Sequence, residues 1–344
     1  MKLINLTAIF FFLLMIAALK PAHAQSPDDI TNKLKSYTFK HPVEKVYLHF
    51  DKPYYAVGDT IYFKGYITLG ERHNLSTLSG VLHVDLVNTA NKIDKSIKLQ
   101  IVNGVTWGDF ALPDSLPAGN YRVRAYTQIM RNYGTGAFFE KIIPVVSIRA
   151  EKSTENSTGK PEIQFFPEGG ELIAGIPSRV AFKAIGTNGY GLGVKGYITS
   201  ETTDSVASIS STHLGMGYFL LRPEENKTYT AHLVFADGTK SDVILPQIGK
   251  TGVRLSVNND SLQKATIRIE ANKDYFDANK GKAFSMLIWS GGFGTTVNGK
   301  LDSAVISMNI IKRRLFTGVT RITLFSDQME PLSERLIFIQ PHRG

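Results

Sequence analysis

Along most of this chain, apolar and polar residues alternate one by one in short runs. Val46, Leu48 and Phe50 alternate with Tyr47 and His49, and Ile61, Phe63 and Ile67 with Tyr62, Lys64 and Tyr66. Leu82, Val84 and Leu86 alternate with His83 and Asp85, and Tyr121, Val123 and Ala125 with Arg122 and Arg124. A period of two on runs of this length predicts strands with one face buried and one in water. Turn signals break the runs at regular intervals: Asp51-Lys52-Pro53, Val57-Gly58-Asp59, the sequence LPAGN at 116–120, and Asn188-Gly189. Residues 27–39 are polar and weakly helical, and no later segment shows a long helical period. The pattern predicts an all-β protein of tandem antiparallel β-sandwiches.

Two polar stretches without core residues, 150–160 (AEKSTENSTGK) and 246–251 (PQIGKT), read as boundaries. They predict a polar leader at 25–41, sandwiches at 42–149, 161–248 and 249–344, and a linker at 150–160, three domains in a row. A weak internal repeat agrees with this division. GDFALPDSLPAGNYRVRAYT (108–127), GYFLLRPEENKTYTAHLVFA (217–236) and ISMNIIKRRLFTGVTRITLFS (306–326) each carry an alternating strand, a polar turn and a second alternating strand. Tandem arrays of this kind serve as rods and scaffolds more often than as catalytic bodies.

The N-terminus changes the picture of where such an array works. A lysine at position 2 precedes an apolar run from about residue 6 to 19, and Ala22 and Ala24 stand at the positions of a cleavage site. This is the pattern of a secretory signal peptide, cut after Ala24. The apolar run is shorter than the roughly 20 residues of a spanning helix, and no later segment is apolar enough to span. The 344 residues include no cysteine, so no disulfide, thiolate ligand or lipoprotein anchor can form. An exported protein without disulfides points to a bacterial periplasm or outer membrane. The formal charge of +9 falls to +7 without Lys2 and Lys20. It is dispersed, and its one tight cluster, Lys312-Arg313-Arg314, has no aromatic platform of the nucleic-acid-binding kind. Dispersed positive charge aids solubility or attraction to anionic surfaces.

Few residues suggest chemistry. GTTVNGKL (294–301) fits a phosphate loop except that Leu301 stands where Ser or Thr would hold magnesium, and no helix follows. It reads as a glycine-rich hairpin loop, together with GGFG at 291–294. The histidines are scattered; His49, His83 and Asp85 would form a metal cluster only if their strands were adjacent. Glu168 and Glu171 flank two glycines and read as a bend rather than an acid–base pair. No nucleophile elbow is present. No catalytic, cofactor-binding or metal-ligating residue is therefore expected. Tyr47, Tyr54, Tyr55, Tyr62 and Tyr66 crowd the opening stretch, either as cross-strand packing or as a contact surface.

VYLHFDKPYYAVGDTIYFKGYI (46–67) resembles the opening of the macroglobulin-like domain of the bacterial alpha-macroglobulin superfamily, where a strand, a D-K-P-x-Y-x-x-G-D/E turn and a second strand follow one another. Asp51, Lys52, Pro53, Tyr55, Gly58 and Asp59 match that turn. Residues 112–127 resemble the later hairpin of the same domain. Residues 165–184, 213–223 and 317–339 resemble the following domains of large exported proteins of the Bacteroidetes type, which often continue into a TonB-dependent-receptor plug-like region; these 344 residues end before such a region. The resemblance implies macroglobulin-like, immunoglobulin-like sandwiches. It carries little function, because without cysteine there is no thioester.

These readings converge on an exported, non-enzymatic scaffold or protein-binding module, periplasmic or associated with the outer membrane. Its expected partners are envelope or outer-membrane proteins, without nucleic acid and without cofactor. A protease-inhibitor component lacking the thioester and a glycan-binding uptake accessory are the alternatives.

Overall fold

The computed structural model describes residues 27–147, 159–201 and 204–340. The expected signal peptide and most of the expected linker (150–158) lie outside the described residues. The rest forms 25 strands, paired antiparallel apart from two short parallel pairs, with two α-helices, and is all-β as the alternation requires.

In the first domain β1 (Glu44–Phe50) and β7 (Val105–Ala111) flank β3 (Thr60–Leu69), which β4 (Asn74–Leu75) also joins. The facing sheet runs β2 (Tyr55–Ala56), β9 (Phe139–Val146), β8 (Gly119–Tyr126), β5 (Val81–Val87), β6 (Ile93–Gln100). In the second domain β10 (Glu162–Pro167), β12 (Ser178–Ile185) and β15 (Met216–Leu221) face β14 (Ser205–Ser210), β13 (Val194–Thr199), β16 (Thr230–Phe235) and β17 (Lys240–Ile244). A short parallel pair, β11 (Leu172–Ile173) and β18 (Ile248–Gly249), closes its end. In the third, β19 (Val253–Asn258), β20 (Lys264–Ala271) and β23 (Val305–Ile311) face β22 (Phe293–Lys300), β21 (Ala283–Ser290), β24 (Gly318–Phe325) and β25 (Pro331–Ile339).

Leaving aside the two-residue strands, the three domains share one topology. The first, second and fifth strands form one sheet, and the fourth, third, sixth and seventh, in that order, form the other. Each encloses its own apolar cluster, around Leu48, Phe63 and Val123, around Phe182, Ile198 and Leu233, and around Leu255, Met286 and Ile322. Fully burying each such side chain contributes about 1.5–3 kcal/mol. The repeat seen in the sequence is the fifth and sixth strands of each domain. It is not a hairpin: the fifth strand lies in one sheet and the sixth in the other, so the connection crosses the sandwich. A buried tyrosine pins that crossover in two domains. The Tyr121 hydroxyl donates to the Pro117 carbonyl (2.9 Å), and the Tyr229 hydroxyl accepts from the Glu224 amide (3.1 Å).

The row of domains closes on itself. The turn between β3 and β4 reaches the third domain, where the Glu71 carboxylate accepts from Trp289 Nε1 (2.6 Å) and the Gly292 amide (2.9 Å). Arg72 Nε donates to the Gly291 carbonyl, and its guanidinium lies 4.7 Å from the centroids of both Phe293 and Phe316. The leader is a helix, α1 (Pro27–Lys40), with Asp28 and Asp29 in its first turn and Lys40 in its last, matching the helix dipole. It packs on β21 and β22 of the third domain. There Thr31 is buried and Thr296 Oγ1 donates to Asp28 Oδ1 (3.4 Å). Helix and turn together explain why β21 is buried on both faces, Phe284, Met286 and Ile288 inward and Leu287 and Trp289 outward.

The second and third domains meet through the glycine bend at 168–171. Arg254, on β19, donates to the Pro177 carbonyl and to Glu270. Ser333 Oγ donates to the Gly169 carbonyl (2.8 Å) and accepts from the Leu255 amide (3.0 Å). Glu168 pairs with Arg335 (3.3 Å). The two glutamates expected to flank a bend do so, and one of them also ties two domains together. The second α-helix is α2 (Lys273–Asn279), capped by Asn272, whose side chain accepts from the Tyr275 amide and donates to the Ala174 carbonyl of the second domain.

Candidate interaction surface

The turn from Asp51 to Asp59 is a hydrogen-bonded joint between β1 and β3. The Asp51 carboxylate accepts from the Tyr55 hydroxyl and from the Tyr62 amide (3.2 Å), while the Asp51 amide donates to the Tyr62 carbonyl. The Asp59 carboxylate accepts from the Ala56 amide and from Lys52 Nζ, both at 3.1 Å. Gly58 has φ +85°, and a Cβ there would sit 2.3 Å from Asp114 Oδ1. Pro53 ends β1, since it has no amide to continue the ladder. Tyr55 and Ala56 then cross to the other sheet and pair in parallel with Val145 and Val146.

That crossing removes Tyr55 from the candidate surface. It is 0% exposed, in the core of the first domain. Burial, then its bond to Asp51, pushes its hydroxyl well above the usual tyrosine range. Alternation alone misplaces it because the turn resets the phase between β1 and β3. Asp59 behaves oppositely: the Ala56 amide and then Lys52 hold its carboxyl below its usual value of 3.8. A lowered folded value means stability that is present above the unfolded value and lost as pH falls through the folded one. Asp59→Asn is therefore expected to lower the urea midpoint of the first domain at pH 7, with the difference shrinking as pH falls through the lowered folded value of Asp59. Urea titrations from pH 7 downward check this.

The other tyrosines are surface residues to different degrees. Tyr47, Tyr54 and Tyr62 are 57%, 60% and 57% exposed, and Tyr66 is half-buried. Tyr54 sits in the turn, Tyr47 touches Phe139 edge-on at 5.9 Å, and Lys64 Nζ lies 5.4 Å from the Tyr66 ring. The strand register lines these residues up across β1, β3 and β7. Tyr47, Tyr66 and Val105 form one row, His49, Lys64 and Trp107 the next, and Tyr62 and Asp109 the third. Trp107, at 71% exposure, is the most open large aromatic side chain of this face. The sequence reading missed it, although VTWGDFA (105–111) alternates and places Trp107 opposite Thr106 and Phe110, which are buried.

The equivalent sheets of the other domains show what is optional on this face. In the second domain, Phe166, Ala181 and Tyr218 form a row, next to Arg179 with Leu220 and Lys183 with Met216. In the third domain the corresponding rows are polar: Asn258, Thr266 and Asn309, then Ser256, Arg268 and Ser307. The same topology thus folds with serine, threonine and asparagine where the first domain carries tyrosine and tryptophan.

The remaining candidates separate in space. His49 is on β1 in one sheet, while His83 and Asp85 are on β5 in the other. The His83 ring stacks on Tyr126 (5.3 Å), and buried Asp85 accepts from Ser96 Oγ (2.6 Å). Among the described residues, no group of three His, Cys, Asp or Glu could hold a metal ion. GTTVNGKL is not a loop: residues 293–300 are β22, paired along its length with β21, and the turn is Gly291-Gly292. Eight residues of regular ladder leave no cradle of amides for a phosphate.

No protein-family model matches the chain, and a search of curated proteins finds none similar to it in sequence. Solved structures match it at low scores. Several are bacterial alpha-2-macroglobulins. A mutant from Salmonella is 11% identical with a TM-score of 0.27, covering 86% of this chain and 23% of its own. Dimeric latent PorU from Porphyromonas gingivalis is 14% identical with a TM-score of 0.34, over 87% of this chain and 34% of its own. A tetra-tandem repeat from the extending region of a large adhesion protein is 8% identical with a TM-score of 0.23. The chain spans about a quarter of the length of the alpha-2-macroglobulins it matches. At these scores the likeness transfers no residue role.

Proposed function

We propose that this chain is an exported, non-enzymatic binding module of the bacterial envelope, which holds a partner protein on the outer face of β1, β3 and β7. The observation that carries this reading is the contrast among three sheets of one topology. Tyr47, Tyr62 and Trp107 are exposed in the first, and the third does without aromatic residues at the corresponding rows. Folding therefore does not demand them. Rigid tyrosine and tryptophan anchors among polar neighbours, here His49, Lys64 and Asp109, have the composition of protein hot spots. The contacts that return the third domain to the first favour a compact holder over an extended spacer. Among the described residues no helix is long and apolar enough to cross a membrane.

The test pairs the parent protein with a Tyr62→Ser/Trp107→Ala double variant. A partner is captured from envelope extract, purified and titrated against both by calorimetry. The double variant is expected to melt with the parent and to bind about 100-fold more weakly or worse. A purified partner held equally by both, or no partner that binds once purified, overturns the reading.

A further inference from the structure

A cleft of about 360 Å³ lies where the second and third domains meet. Its volume is within the range of about 300–1,000 Å³ of small-molecule sites. We propose that this cleft binds a neutral saccharide. The inference is independent of the protein-binding face, which lies on the first domain.

The lining is polar and balanced in charge. Arg179 and Arg335 stand against Glu168 and Asp260, with Asn258 and Asn259 between them. A net charge of either sign would suit an ion of the opposite sign; balance suits a neutral ligand. The lining also mixes groups that only donate (arginine), groups that only accept (carboxylates) and amides that do both. A sugar hydroxyl donates and accepts at one atom, so adjacent hydroxyls can meet such a set.

Each polar head is already held on one side. The Arg179 guanidinium lies 4.9 Å over the Tyr218 ring, and among the described residues no carboxylate or carbonyl accepts from it. Asn258 and Asp260 bond to each other through Nδ2 to Oδ2 and through the Asp260 amide to Oδ1, both at 3.1 Å. Asn259 Nδ2 donates to the Phe338 carbonyl (2.9 Å), which assigns the amide orientation and leaves its shielded Oδ1 without a donor. Arg335 Nε is 3.3 Å from Glu168 Oε1, near enough for charge attraction but without hydrogen-bond alignment, so that it too lacks a partner. Both of these atoms are closed to solvent, so what the cleft offers an occupant is the exposed Arg179 guanidinium and the exposed Asn258 and Asp260 side chains. The site needs both domains: Glu168 and Arg179 come from one, and the other four residues from the next.

The experiment screens the purified protein against an array of immobilised neutral oligosaccharides and titrates the strongest hit by calorimetry. Arg179→Ala and Asn258→Ala change exposed residues outside the cores, and thermal melts confirm that both stay folded. Binding is expected in the parent, about tenfold weaker or worse in each cleft variant, and unchanged in Trp107→Ala. A silent array overturns the proposal. So does binding that survives both cleft variants, or binding lost only in Trp107→Ala, which would put the sugar on the aromatic face. A peptide library that binds at the cleft while the sugars do not would also overturn it.

Discussion

Tyr55→Ala is expected to unfold the first domain, while Tyr62→Ser, seven residues along, leaves its melting temperature unchanged. Both positions are tyrosines in one aromatic stretch, but Tyr55 is enclosed in the core and Tyr62 is more than half exposed. Removing a buried aromatic ring costs about 3–5 kcal/mol. The loss of its hydroxyl also leaves Asp51 with one donor fewer, at roughly 1 kcal/mol. That total is a large part of the 5–15 kcal/mol or so that holds a domain folded. Tyr55→Phe separates the two effects, since it keeps the ring and is expected to cost only about 1 kcal/mol. Calorimetry reads the outcome, with the first transition shifted down or missing in Tyr55→Ala. Equal melting of Tyr55→Ala and Tyr62→Ser would show that the joint at 51–59 does not hold the domain.

Gly169→Ala is expected to uncouple the second and third domains. Gly169 has φ +90°, and a Cβ there would lie 2.8 Å from Ser333 Oγ, 3.1 Å from Arg254 Cγ and 3.2 Å from the Leu255 carbonyl oxygen. Those three atoms belong to the third domain, so relief of the clash pushes the domains apart. With the separation go the bonds of Ser333 to Gly169 and of Arg254 to Pro177. Gly170 is the internal control: its φ is +106°, but a Cβ would meet nothing within 4 Å. Gly170→Ala therefore carries only the backbone strain, on the order of 1–3 kcal/mol. Gly169→Ala carries the same strain and the broken junction. The expected result is separate melting of the last two domains in Gly169→Ala and joint melting in Gly170→Ala. Identical traces for the two variants would mean that the junction contributes nothing to stability. Because the cleft is built from both domains, Gly169→Ala should also abolish any ligand binding there.

Much of the architecture was legible in the chain. Alternation at Val46 to Phe50, Leu82 to Leu86 and Tyr121 to Ala125 marks strands that appear with the expected faces inward. The pattern is legible because an extended backbone turns every second side chain to the same side, whatever the strand packs against. The triple likeness at 108–127, 217–236 and 306–326 marked equivalent strands for the same reason. Local rules failed where the chain leaves one ladder for another. Tyr55 follows a proline turn that restarts the phase, and GTTVNGKL has glycines at positions where a strand happens to accept them. The exposed aromatic face was half legible: Tyr47 and Tyr62 could be placed outward, but Trp107 joins them only through the register of β7 on β3.

What the sequence determined by itself is a string of sandwiches, because period-two burial and turn chemistry act over a few residues. The tertiary structure alone decided that the string closes and that a polar cleft forms at its second joint. Glu71 meets Trp289 across 218 residues of chain, and Gly169 meets Ser333 across 164. Such contacts join side chains at loop tips and strand ends, where no periodicity runs from one partner to the other. They become visible only when two finished domains come into contact.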